Sequence, residues 1–226
     1  MGLFLGKPFA LDQRRADDAE EQLRSRLRDA RHELYLKGIK PHEVGLGLAD
    51  ESAPQTRANR VRLWSTRHQI LRDTTTKLRS STFGFYALRG TSIVAALENS
   101  KGPSFIEMLT RIKAANRRYK AMIVIWDNLP SHKTEAVRAH AADLGIVLVN
   151  VPPYSPDLNP IEYIWKSVRR VVAEERVLQN QEHLRTIIDR AFTTFSRSMS
   201  FARSWRKKLF TPLFTKRATS QADFVF

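Results

Sequence analysis

Asp127 ends an unbroken apolar run, "AMIVIW" at 121–126, and is followed by the polar stretch "NLPSHK". A run of that kind reads as a strand covered on both faces, which leaves a carboxylate at the strand's carboxyl end. Asp50 ends a second strand-like run, "VGLGLAD" at 44–50. Glu162 lies 35 positions after Asp127, in the first turn of the helix expected after "PPYSPDLNP" at 152–160. Ligand sites in open α/β sheets gather at the carboxyl edge of the strands. Three carboxylates converging there make an oxygen-ligand cage for Mg²⁺, with Mn²⁺ as a substitute. Two such ions, roughly 3.5–4 Å apart, can activate a water or a 3′-hydroxyl and stabilise the leaving oxygen at a phosphodiester. Phosphoryl transfer asks for little covalent chemistry from protein, so acids and metal suffice.

Each residue also has a plainer role open to it. Asp127 can cap a turn, as Asp often does. Glu162 stands three residues after Asn159, which is capping-box spacing. Asp50 has Glu51 beside it, and either can be a surface acid. His132 can donate to a backbone carbonyl, and Tyr154 and Trp165 can belong to the core. The combination of the three acids is what points to metal chemistry.

The elements that must position these acids follow from hydropathy patterning. Residues 17–36 read as a helix, with Asp17 and Glu20 at capping-box spacing and Leu23, Leu27, Ala30 and Leu34 on one face. Residues 44–50 alternate as a strand, with Val44, Leu46, Leu48 and Asp50 on one side. A short strand is expected at 61–65. "TFGFYAL" (82–88) and "TSIVAAL" (91–97) flank "RG" and read as a hairpin. Pro103 opens a helix running to about Tyr119. The "AMIVIW" strand comes next. Ser131 caps a helix that Gly145 ends, and "IVLVNV" is a further buried strand. Asn159 caps a helix with Pro160 at its first position. Helices near 181–198 and 200–209 complete the chain. Three strands, then helix, strand, helix, strand, helix, predict a meander extended by two parallel strands through helical crossovers. That is an α/β chain with a mixed five-stranded sheet and helices on both faces, the element order of the ribonuclease H-like fold.

Composition bounds the function classes. There is no cysteine among the 226 residues, which excludes disulfides, thiol nucleophiles and thiolate metal sites. No apolar run reaches a membrane span, so no membrane partner is expected. The net charge is +15, and it is unevenly placed. Residues 52–90 hold eight Lys/Arg against one acid, and residues 163–226 hold thirteen against five. Two basic blocks around a neutral centre attract polyanions, nucleic acid above all. Lys166, Arg169 and Arg170 follow Glu162 on one helix and are the first candidates for phosphate contacts.

"WDNLPSHK" followed by "LVNVPPYSPDLNPIEYIWKSVRR" closely resembles the DDE transposases of bacterial and archaeal insertion sequences related to the mariner superfamily. "ADES" at 49–52 resembles their first acidic motif. The resemblance covers about residues 17–210. It implies a ribonuclease H-like core and a catalytic, metal-binding triad of Asp50, Asp127 and Glu162, with Asn128, His132 and Asn159 in support. It implies cut-and-paste transposition, usually at a TA dinucleotide, by a homodimer using Mg²⁺ on double-stranded DNA, both transposon ends and target. A prokaryotic, nucleoid-associated cytoplasmic protein is the corresponding location. The expected division is a linker-like segment with one helix (1–40), a catalytic domain (41–210) and a tail (211–226). The family reads W-A-P-x-G where this chain has "WSTRH" from Trp64. The 49 residues before Asp50 resemble only the family's linker, so a separate helix-turn-helix chain is an expected partner. A DNA-binding or transposase-binding regulator without activity is the alternative function.

Overall fold

The computed structural model describes residues 11–55, 78–99, 101–128, 134–175 and 178–211. The strand expected at 61–65, His132 and the Ser131 cap lie outside the described residues.

The leucine stripe at 23, 27 and 34 builds helix α1 (Ala19–Leu36), and all three leucines are buried. The start differs from the capping box expected at Asp17 and Glu20. Asp18 is the cap residue and makes no side-chain cap hydrogen bond. The acids are used along the helix surface instead: Gln22 donates to Asp18 at 2.8 Å, and Arg24 pairs with Glu20 at 3.2 Å and Glu21 at 2.7 Å.

Five strands follow the expected order: β1 (Val44–Ser52), β2 (Thr82–Arg89), β3 (Ile93–Ala96), β4 (Ala121–Trp126) and β5 (Ile146–Asn150). Across the sheet they run β3-β2-β1-β4-β5. β1, β2 and β3 form the antiparallel meander. β4 joins β1 in parallel, and β5 joins β4 in parallel. The two crossovers carry helices α2 (Gly102–Ala115) and α3 (Glu135–Asp143). Helix α2 stops earlier than Tyr119, for a visible reason. The Asn116 side chain donates to the carbonyls of Ile112 and Thr91, both at 3.0 Å, and accepts from the Thr91 amide at 2.6 Å. That buried amide spends the helix end on closing the β2–β3 turn. Gly145, at φ +67°, ends the α3 segment as expected, since such a φ strains any side chain.

The sheet divides the core in two. One face holds Leu46, Leu48, Ile123 and Ile125 together with α1, helix α4 (Ile161–Glu174), helix α5 (Gln181–Ser196) and the carboxy-terminal helical run at 200–210. The other holds Ala49, Phe85, Val124 and Trp126 with α2 and α3. In that run only Arg203–Trp205, helix α6, is α-helical. Among the described residues no helix is long and apolar enough to cross a membrane.

Gly84 lets α4 and α5 come close to the sheet. A Cβ there would lie 2.5 Å from Phe192 and 2.7 Å from Trp165. Those two rings sit 4.9 Å apart on the sheet face. Gly84 is also the cross-strand partner of Asp50, so this close approach brings α4 down beside that acid.

Candidate active site

Register places the first two acids. β1 and β4 pair in parallel from Val44 with Ala121 to Leu48 with Ile125. Two further residues along the chain lead to Asp50, still within β1, and to Asp127, the residue that follows β4. Strand alternation puts both on the face that Leu46, Leu48, Ile123 and Ile125 share with α4. β1 continues to Ser52 on its β2 side alone, so Asp50 sits where β4 has already left the ladder. Their common edge is therefore a consequence of hydrogen-bond register.

Glu162 is in the first turn of α4, one turn ahead of Trp165, which is fully buried. The helix anchored by Trp165 carries Glu162 over the same edge. Electrostatics record this meeting. The Asp50 carboxyl is pushed well above its usual range by burial, then by the negative charges of Glu162 and Asp127. Glu51 acts on it more weakly as a charge, and its backbone N–H donates to the Asp50 carboxylate. Glu162 is raised by burial, lowered by Arg169 and raised by Asp127. Asp50 is thus the acid on which the other two act. Among the described residues no group of three or more His, Asp or Glu side chains is gathered so as to hold a metal ion.

The backbone around Asp127 is fixed from β5. The Trp126 carbonyl accepts from Val151 at 2.8 Å, and the Asp127 carbonyl accepts from the Asn150 side chain at 2.8 Å. Asn128 donates its side-chain amide to the Val151 carbonyl, which ties the strand end to the start of the 152–160 loop. Asn128 is in this way a brace between two backbones.

Asn159 differs from the expected cap. Pro160 is the cap residue and α4 begins at Ile161, with no side-chain cap hydrogen bond. The Asn159 side chain is buried, and its backbone carbonyl receives the Glu162 amide at 3.1 Å. Its Oδ1 has no hydrogen-bond partner among the described residues.

The three basic candidates part company. Lys166 and Arg170 are exposed on α4. Arg169 is half-buried and engaged within the protein: it donates to the Ser52 hydroxyl at 2.9 Å and lies 3.8 Å from Glu162. Arg169 therefore joins the last residue of β1 to the acid on α4. Trp165 is core, whereas Tyr154 is 48% exposed. Sequence reasoning did not find the Ser52–Arg169 link or the hydrogen bond from Trp205 Nε1 to the Leu158 carbonyl, 2.9 Å long. Neither has a local signal, since 117 and 47 positions separate the partners.

The mixed sheet with these helices is the ribonuclease H-like fold shared with solved Mos1 transposase structures. The Mos1 paired-end complex with left transposon end matches at TM-score 0.59 and 17% identity, over 92% of this chain and 66% of that one. The catalytic domain of Mos1 mariner transposase matches at TM-score 0.53 and 16% identity, over 92% and 99%. The Mos1 catalytic domain with Raltegravir and Mn matches at TM-score 0.55 and 17% identity, over 91% and 96%. The chain thus spans just under two thirds of the Mos1 chain in the paired-end complex. No curated protein sequence matches it significantly. The model of the DDE superfamily endonuclease matches residues 46–185, more than half of the 226 residues and a span that includes all three acids, so the chain belongs to that family.

Proposed function

We propose that the chain is the catalytic part of a transposase, cleaving DNA and joining strands at Asp50, Asp127 and Glu162 with Mg²⁺ or Mn²⁺. The observation that carries this reading is the approach of Glu162 and Asp127 to the buried Asp50 carboxyl, close enough for both charges to act on it. Asp50 and Asp127 each lie two residues beyond the last paired positions of β1 and β4, Leu48 and Ile125, and the Glu162 charge on α4 pushes the Asp50 carboxyl upward. Their chemistry fits a divalent ion: the donors are all carboxylate oxygens, and burial with mutual repulsion is what a cation relieves. When bound, two ions would supply Lewis acidity and positive charge at the scissile phosphodiester. Asp50 and Asp127 hold their places through the sheet behind them. Glu162 holds its place through the α4 helix and its contact with Arg169. Lys166 and Arg170 contact backbone phosphates of duplex DNA in this reading, which their exposure on the same helix supports.

The neighbours fit this reading. Mos1 structures include complexes with a transposon end and with Mn or Mg. Transposition at TA targets, by a homodimer, rests on the resemblance of the "PPYSPDLNPIE" stretch to mariner-like elements. The test is incubation of the purified chain with supercoiled plasmid and Mn²⁺. Nicked and linear products that vanish with a chelator support the reading. DNA binding with no cleavage at any divalent-ion concentration would replace it with a regulator.

A further inference from the structure

The loop at 152–160 delivers Glu162 to the sheet edge, and it is gripped by a segment that lies far away in sequence. Arg15, ahead of α1, meets Asp157 with two parallel hydrogen bonds, Nε to Oδ1 and Nη2 to Oδ2, each 3.0 Å. The two side chains are only 12% and 16% exposed. A planar fork on a carboxylate fixes direction as well as distance. Next to it the Arg14 guanidinium lies over the Tyr154 ring, 3.9 Å from its centroid. Tyr154 has φ +56°, a left-handed backbone that side chains seldom adopt. Such a conformation persists only where the surroundings enforce it.

From Asp157 to Glu162 there is no slack. Leu158 donates to Ser155, Asn159 to Pro156, Glu162 to Asn159 and Tyr163 to Pro160, all at 3.0–3.1 Å. Trp205 donates to the Leu158 carbonyl at 2.9 Å. A displacement of Asp157 is therefore passed to the first turn of α4.

We propose that Arg14 and Arg15 form a strap that positions Glu162, Arg15 by clamping Asp157 and Arg14 by covering Tyr154. Arg15 is a positioning residue, and the proposal rests on Glu162 being a metal ligand. The strap couples the segment entering α1 to the geometry of Glu162.

The test is calorimetric titration of the full chain with Mn²⁺, alongside melting of the metal-free protein and amide exchange of the 152–165 peptide. Arg15→Ala should weaken Mn²⁺ binding about tenfold, the lower end of what supporting residues at metal sites contribute. Exchange should rise in the 152–165 peptide and not in the β4 peptide. Arg15→Lys retains the charge but loses the fork, so it should fold and bind Mn²⁺ more weakly than wild type, by a smaller factor. The exchanged pair Arg15→Asp with Asp157→Arg should recover most of the affinity. Glu162→Gln is the control for the underlying reading. If it weakens Mn²⁺ binding while Arg15→Lys and Arg15→Ala bind as wild type, the strap is refuted and the site stands. If Glu162→Gln itself binds as wild type, the metal reading fails and takes the strap with it.

Discussion

The backbone at Asp127 is braced by Asn150 on its own carbonyl and by Val151 on the carbonyl before it. Asp127→Asn keeps the shape and these backbone contacts while removing a charge that a divalent cation needs. Metal-dependent plasmid nicking should fall by about 100-fold or more, the scale for removing one charge-stabilising group from a reacting phosphodiester. Circular dichroism and DNA retention should match wild type; an active Asp127→Asn protein would remove this residue from the metal site. The basic residues of α4 make a sharper comparison. Each lost phosphate contact flattens the dependence of log affinity on log salt by about 0.9. Lys166→Ala and Arg170→Ala should each show that change. Arg169→Ala should not, because its guanidinium is engaged by Ser52 and Glu162. Equal slopes for all three variants would contradict this division of labour.

Helix α4 is set by what lies under it. Trp165 and Phe192 occupy the space that a side chain at 84 would fill. Gly84→Ala must push these rings and the helix away from the sheet, and should cost about 1–3 kcal/mol, the usual penalty for overpacking a core. Urea unfolding measures it. Since Gly84 pairs with Asp50, the same variant should also lose Mn²⁺ affinity, and Trp165→Phe, which removes volume instead of adding it, should lose less. A Gly84→Ala protein as stable as wild type would show that α4 has freedom the packing denies it. Helix α1 is equally bound to the core: Leu23, Leu27 and Leu34 are buried in the cluster that includes the α4 residues.

At the scale of the molecule, binding and reading of DNA separate. Basic blocks attract phosphates, and phosphate contacts position a protein without specifying sequence. Base reading generally needs an element that enters a groove. Among the described residues the only α-helix ahead of β1 is α1, and it spends its leucine stripe on the core. This chain by itself should bind duplex DNA with little preference for one sequence over another. Competition at fixed salt between terminal-repeat DNA and a scrambled duplex of equal length checks this. A hundredfold preference, about 2.7 kcal/mol, would reveal an end-reading element in the chain.

The element order, with Asp50 in β1 and Asp127 directly after β4, was legible in the sequence, because a strand's alternation and a buried run's length are local properties. Val44, Leu46, Leu48 and Asp50 share a face for the simple reason that side chains alternate. The "PPYSPDLNPIE" stretch marked Glu162 for a similar reason: its prolines and Asn159 announce a turn and a helix start at a fixed distance. Helix caps were less legible. Asp17, Glu20 and Asn159 had the right types and spacing, yet ion pairs along α1 and the burial of Asn159 decided their use. Contacts between distant segments were not legible at all. Asp50 came under the charges of Glu162 and Asp127, a glycine on β2 set the depth of α4, and Arg169 was turned from a free cation into a tie between Ser52 and Glu162. Sequence determined which carboxylates stand at the strand ends and at the start of α4. Only the tertiary structure decided which charges face one another, because Coulomb and hydrogen-bond energies depend on separation in space, and separation along the chain says almost nothing about it.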